Sequence, residues 1–314
     1  MAGYDLALAL GGGGVRCMMH VGILDVLSRE GIIPDLVVGS SIGSVIGGVY
    51  AYRPDAEFLK RFALRFSGGV MPRKIESFLS TDPKSLASKL RSFISFSVAF
   101  VHSYWDQGMI SPDMVKRAYR NVAGRGVLER RKFLVEDTEI RLGILTTDII
   151  SGDAVVITTG DMPDAMYASS AMPGVCKPLN LKGMLLMDGG IISLLPVMAA
   201  HIMGAKRIIA LDSVARIKGL VYNNSIEMLD KASEIRGYRW NLVERSLADM
   251  VISADEVRDF EWFQFSKAAT CIEAGSSRTE AMLDEVKALL DSPGDSELMK
   301  KRSEMEKFYP YRII

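Results

Sequence analysis

Ser41 stands in Gly39-Ser40-Ser41-Ile42-Gly43, a G-x-S-x-G directly after the apolar run Leu36-Val37-Val38. A serine on a turn from strand to helix is pushed out on a sharp bend. Flanking glycines admit the strained backbone and a close helix, so such a hydroxyl suits nucleophilic attack. The same pattern also suits a serine that caps a helix, with glycines for packing. A second turn carries Gly11-Gly12-Gly13-Gly14-Val15-Arg16. Glycines there let backbone N–H groups converge at a helix N-terminus, where negative charge is favoured. Three uses fit this turn: a phosphate cradle, an oxyanion hole, or a plain tight turn. It lacks the lysine-serine ending of a P-loop, and Cys17 stands where G-x-G-x-x-G needs its last glycine.

A third turn, Asp188-Gly189-Gly190, puts a carboxylate at a strand end. That position reaches a crevice shared with other strand ends, and the two glycines let another backbone come close. Asp35, Asp148 and Asp212 hold similar positions and read as turn or cap residues. The histidines are His20, His102 and His201. His20 reads as packed one turn into the first helix, His102 falls in an irregular stretch, and His201 reads as near the surface. None has a natural path to Ser41, so the candidate base is the carboxylate of Asp188.

The elements that must position these residues alternate. Leu6 to Leu10 reads as a strand, and Val21, Leu24 and Leu27 mark a helix closed by Gly31. Leu36 to Val38 is a second strand and Ile42 to Tyr50 a tightly packed helix. This order implies a right-handed β-α-β unit and a mainly parallel sheet. After an interrupted helical stretch from 52 to about 135, strands are expected at Arg141 to Thr147, Ala154 to Thr159, Gly183 to Met187 and Arg207 to Leu211. Helices are expected at Asp164 to Ser170 and after Pro196, and the chain from Ser225 reads as mostly helical. Ser292-Pro293 is expected to start a last short helix.

Composition sets the frame. The chain has 314 residues, with 48% hydrophobic and 24% charged, which suits an ordinary globular protein with a substantial core and excludes disorder as its main state. Basic and acidic residues number 38 each, so no whole-protein footprint for nucleic acid exists. Cys17, Cys176 and Cys271 are too scattered for a disulfide framework or zinc cluster and read as buried, inert thiols. No secretory leader is read at the N-terminus and no apolar stretch reaches the roughly 20 residues of a membrane span, so a cytoplasmic protein is expected, with at most peripheral contact at the inner membrane surface. Residues 60–91 carry eight basic and two acidic side chains, and the apolar run from Phe93 to Val101 follows, then Tyr104 and Trp105. That segment suits a surface docking on anionic lipid, a buried helix, or a lid over Ser41.

Taken together, the glycine loop at 11–16, Gly39-x-Ser41-x-Gly43, Asp188-Gly189-Gly190, Thr147-Asp148, the run from Ala168 to Gly174 and Leu195-Pro196-Val197 resemble the patatin-like phospholipase family, in particular its small bacterial acyl hydrolases. The match runs from about residue 5 to 212, with weaker similarity around Phe260 to Gly275. The resemblance implies a three-layer α/β/α fold: a patatin-like catalytic domain over 1–212 with a helical insertion at about 52–135, and a mostly helical extension over 213–314 packed on it. It implies a Ser-Asp dyad of Ser41 and Asp188, and an oxyanion loop of Gly12, Gly13 and Gly14. Arg16, Gly39, Gly43, Gly189 and Gly190 are implied as supporting residues. The implied activity is hydrolysis of lipid-like acyl esters, needing neither metal nor organic cofactor. Cys17 departs from the family loop, which usually has glycine there, and this keeps a second expectation open: a patatin-fold regulatory or scaffold protein with weak or no catalysis.

Overall fold

A computed structural model describes residues 3–79, 112–113, 133–217, 219 and 225–314. Among them, nine strands form one sheet: β1 (Tyr4–Leu10), β2 (Leu36–Ser40), β3 (Arg141–Asp148), β4 (Ala154–Ile157), β5 (Leu179–Leu181), β6 (Met184–Asp188), β7 (Ala205–Leu211), β8 (Met250–Ile252) and β9 (Tyr311–Ile313). The main path is β5-β6-β3-β2-β1-β7-β8, with β4 pairing β3 and β9 pairing β4. β3, β2, β1, β7 and β8 are parallel. β5 and β6 form an antiparallel hairpin, and β6 is antiparallel to β3.

The central strands are apolar on both faces because both faces are covered. Leu6, Leu8 and Leu10 of β1 point into one core layer, with α1 (Met19–Arg29), α2 (Ile42–Tyr52) and α5 (Met162–Ser169). Ala7 and Ala9 point into the other, with α6 (Val197–Ile202). The fold is thus helix, sheet, helix, as expected. Two further helices, α3 (Ala56–Ser67) and α4 (Val70–Leu79), open the insertion. Lys60, Arg61, Arg65, Arg73 and Lys74 are exposed on them. The rest of the basic stretch, with Phe93 to Val101, His102, Tyr104 and Trp105, lies outside the described residues.

The region after 212 does more than pack as helices. α7 (Ser225–Arg245), α8 (Ala268–Ala281), α9 (Leu283–Asp291) and α10 (Ser296–Glu306) are helical, but β8 extends the parallel sheet and β9 joins β4. α8 lies tight on α1: a side chain at Gly22 would meet Ile272 O at 1.9 Å, and one at Gly275 would meet Met19 O at 2.0 Å. Only glycines let these two helices come so near. No described helix is long and apolar enough to cross a membrane.

Several expectations need correction. Ser292 ends α9 rather than starting a helix; α10 begins at Ser296, because the Asp295 side chain accepts from the N–H groups of Glu297 and Leu298. The β5–β6 hairpin was missed at β5. Its turn is Lys182-Gly183, both at positive φ, a two-residue turn whose twist matches the strands.

Candidate active site

The sheet register brings the candidate residues together. Leu10 pairs with Gly39, Ser40 with Leu145, and Thr146 with Asp188. Three strand ends therefore stop side by side. Asp188 reaches this line because β6 runs against β3, not because it shares the parallel direction of the strands around it.

Ser41 sits between β2 and α2 with φ of 53° and ψ of −131°, a region that L residues rarely adopt. The bend is secured at once: Ser44 donates to Ser41 O through both its N–H, at 2.9 Å, and its Oγ, at 2.6 Å. From farther away, the Ser41 N–H donates to Ser169 Oγ at 3.0 Å, and that hydroxyl donates to Leu145 O at 2.6 Å. The outcome is a half-buried hydroxyl whose Oγ donates to Asp188 Oδ2 at 2.9 Å. Gly39 and Gly43 flank the bend.

The other oxygen of Asp188, Oδ1, accepts the Gly190 N–H at 2.7 Å, so the glycine after Gly189 orients the carboxylate. Its backbone is held too: Asp188 N donates to Ala171 O at 3.1 Å, and Thr147 Oγ1 donates to Asp188 O at 3.0 Å. Burial pushes the Asp188 carboxyl up to about 6, against the opposing pull of the Gly190 and Ser41 hydrogen bonds. A raised carboxyl hydrogen-bonded to a hydroxyl has the arrangement that general-base assistance requires.

The glycine loop lies against the serine: a side chain on Gly12 would come within 2.9 Å of Ser41 Cβ. The three glycines are not equivalent. The Gly12 N–H is donated to Leu194 O at 2.7 Å. Gly13 and Gly14 are half-exposed, and their N–H groups have no acceptor among the described residues. Both have positive φ, 152° and 63°, and side chains there would strike Ser213 O at 2.6 Å and Trp262 O at 2.2 Å.

The loop is braced from behind by residues distant in sequence. Arg16 is buried; its Nε donates to Ser213 O at 3.0 Å and its guanidinium to Phe260 O at 2.6 Å. Val15 N donates to Trp262 O at 2.8 Å. Ser213 Oγ donates to Gly12 O at 3.0 Å, and His20 Nε2 meets Gly11 O at 2.9 Å. Cys17 lies beneath the loop, its Sγ 3.3 Å from Gly11 O, and burial pushes its thiol up to about 12. Burial likewise pulls His20 down to about 4, so it is neutral and serves as a strut.

Cys176 and Cys271 are also buried and free. The rival aspartates have other work. Asp35 accepts from the N–H groups of Asp5 and Leu6, Asp148 from Ile150, Ser151 and Leu185, and Asp212 pairs with Arg245 and accepts from Val214 N. His201 is half-buried, 3.9 Å from Glu306. Sequence reasoning missed Ser169, Ser193, Ser213 and Trp262 as parts of the site. Ser169 alone left a trace, in the run from Ala168 to Gly174. Among the described residues no cluster of His, Cys, Asp and Glu is arranged to hold a metal ion.

A family model described as patatin-like phospholipase matches residues 8–201, which span the glycine loop, Ser41 and Asp188. The chain belongs to the patatin-like phospholipase family. Similar curated proteins include a patatin-like phospholipase domain-containing protein of Caenorhabditis elegans, 32% identical over 214 residues covering 68% of this chain and 14% of that protein. The lysophospholipase NTE1 of Scheffersomyces stipitis is 32% identical over 66% of this chain and 12% of its own length. An uncharacterized NTE family protein of Mycobacterium tuberculosis is 32% identical over 61% of this chain and 44% of its own length. The chain therefore matches only a minor part of each of these patatin-like relatives. Among solved structures, VipD from Legionella pneumophila aligns with a TM-score of 0.46 at 13% identity, over 98% of this chain and 74% of that one.

Proposed function

We propose that this patatin-family chain is a serine acyl-ester hydrolase acting on lipid-like substrates, of phospholipase A or lysophospholipase type. The observation that carries the reading is the 2.9 Å hydrogen bond from Ser41 Oγ, on its strained bend, to Asp188 Oδ2. Ser41 attacks the ester carbonyl while Asp188 takes its proton. The developing oxyanion is met by the N–H groups of Gly13 and Gly14, which have no partner among the described residues. Asp188 returns the proton to the leaving alcohol, leaving an acyl-enzyme, and then activates the water that hydrolyses it. Every step uses side chains and backbone of this chain.

The buried, protonated Cys17 fits the same reading, since it braces Gly11 rather than facing Ser41. The domain division at about 212 is retained as part of the proposal, with β8 and β9 lending strands across it. Exposed basic residues on α3 and α4 favour peripheral docking on anionic lipid, which co-sedimentation with anionic and neutral vesicles at two salt concentrations tests. The central test is a fluorophosphonate probe together with acyl esters of graded chain length. Stoichiometric labelling of Ser41, and turnover lost in Ser41→Ala, support the hydrolase. Folded wild-type protein that neither labels nor turns over any ester is instead a scaffold.

A further inference from the structure

Behind the site lies a carboxylate that the chemistry above does not use. Glu244, near the end of α7, is fully buried. Its Oε1 accepts from Ser193 Oγ at 3.0 Å, and its Oε2 accepts from the N–H of Met198, in the first turn of α6, at 2.9 Å. No lysine or arginine among the described residues pairs with it; its neighbour Arg245 turns to Asp212. The titratable groups facing it are Tyr309 and Tyr311, whose phenols burial holds in the neutral form.

A buried carboxylate without a counter-charge is costly, and an apolar side chain of similar size would fill such a place more cheaply. What the carboxylate gains is charge-assisted hydrogen bonding to one short segment, residues 193–198, with the Val197 backbone and the Trp240 side chain also favouring its charged form. That segment touches both halves of the site. Ser193 O accepts from Ser40 Oγ, at 2.9 Å, in the residue before the nucleophile. The next residue, Leu194, accepts the Gly12 N–H at the foot of the glycine loop, at 2.7 Å. Upstream, Ser193 N donates to Gly189 O at 2.9 Å, one residue after Asp188. One loop thus spaces the base, the nucleophile and the oxyanion donors, and Glu244 holds it from outside.

We infer that Glu244 is a positioning residue for ester hydrolysis at Ser41, acting through Ser193 and the N–H of Met198; the inference rests on the Ser41–Asp188 reading. Burial pushes its carboxyl up to about 7, so its charge changes in the working range of an enzyme. As pH falls through that value the carboxylate gains a proton and one of its two acceptor positions becomes a donor.

The experiment compares wild type, Glu244→Gln, Ser193→Ala and the double variant on a soluble ester, with melting temperature, kcat, KM and pH profile. Glutamine keeps size and shape but offers only one acceptor oxygen. In Glu244→Gln and in Ser193→Ala, kcat falls on the order of tenfold to hundredfold, as small displacements of a catalytic geometry do, with KM within about twofold. The double variant is little worse than the poorer single, because the two residues act as one brace. The wild-type kcat falls off at a higher pH than that of Glu244→Gln, whose fall-off reports Asp188 alone. Should Glu244→Gln fail to fold, Ser193→Ala carries the kcat-against-KM comparison. Wild-type kcat in folded variants, or a loss appearing only in KM or only in step with melting temperature, overturns the inference while leaving the hydrolase standing. Wild type that neither hydrolyses ester nor labels at Ser41 overturns the underlying reading, and the inference with it.

Discussion

At the turn after β2, much of what shapes the bend lies within four residues of its start. Ser44 bonds Ser41 O twice, and the glycines at 39 and 43 are part of the same pentapeptide. The turn after β1 is held differently. Its anchors are Leu194, Ser213, Phe260 and Trp262, the last two brought in by a segment after β8. A nucleophile needs one atom on a sharp bend, which local backbone supplies. An oxyanion hole needs two N–H groups aimed into open space without partners, and a backbone in that state must be held by bonds made elsewhere.

Substitutions can break this contrast. Ser41→Ala and Asp188→Asn each lower kcat by about three orders of magnitude or more, and the double variant is little worse than either single, as expected of groups acting as a unit. Steady-state kinetics on a soluble ester checks this; near wild-type turnover in Asp188→Asn would reassign the base. The pH profile sharpens the assignment. Activity needs the charged carboxylate, so kcat/KM falls as pH drops through about 6. Stability moves the other way, because a carboxyl raised by burial holds its proton more tightly when folded. Asp188→Asn therefore melts no lower than wild type at pH 8, by scanning calorimetry.

Gly13→Ala comes next. It loses about a hundredfold in kcat, the typical cost of one oxyanion donor, since a side chain there would strike Ser213 O. Arg16→Met tests the distant anchoring itself. It strips the buried carbonyl of Ser213 and the half-buried carbonyl of Phe260 of their donor, costs about 1–3 kcal/mol in denaturant unfolding, and lowers kcat with KM little changed. A folded Arg16→Met with full kcat would show that the loop keeps its shape unaided. The smallest effect belongs to Cys17→Ser, which replaces the thiol near Gly11 O with a hydroxyl and changes stability by about 1 kcal/mol with kcat nearly unaltered. In native wild type, a thiol reagent leaves Cys17 unmodified, because the thiol is buried and protonated.

How much was legible follows the same division. The strands around residues 6–10, 36–38, 141–147 and 207–211 are short apolar runs, and their length and flanking turn residues locate them. β5, β8 and β9 are three-residue strands with no period to detect, formed because neighbouring edges offer them partners. The helix after Ser292 was misplaced because Asp295 is an equally good cap and lies three residues on. The turns carrying Ser41, Asp188 and the glycine loop stand out in the sequence because sharp bends demand glycine and small polar residues at fixed positions.

By itself, then, the sequence determined which residue types stand at three strand ends. Their 2.9 Å meeting was decided by register: β6 runs against β3 and stops where Asp188 faces Thr146, beside the pair of Leu145 with Ser40. Tertiary structure also decided that Gly12 spends its N–H on Leu194 while Gly13 and Gly14 keep theirs, and that the loop is braced by Arg16, Ser213 and Trp262. Those outcomes depend on hydrogen-bond partners some 180 to 250 positions away in the chain. Such partners leave no local pattern, because any residue's backbone carbonyl can supply the bond.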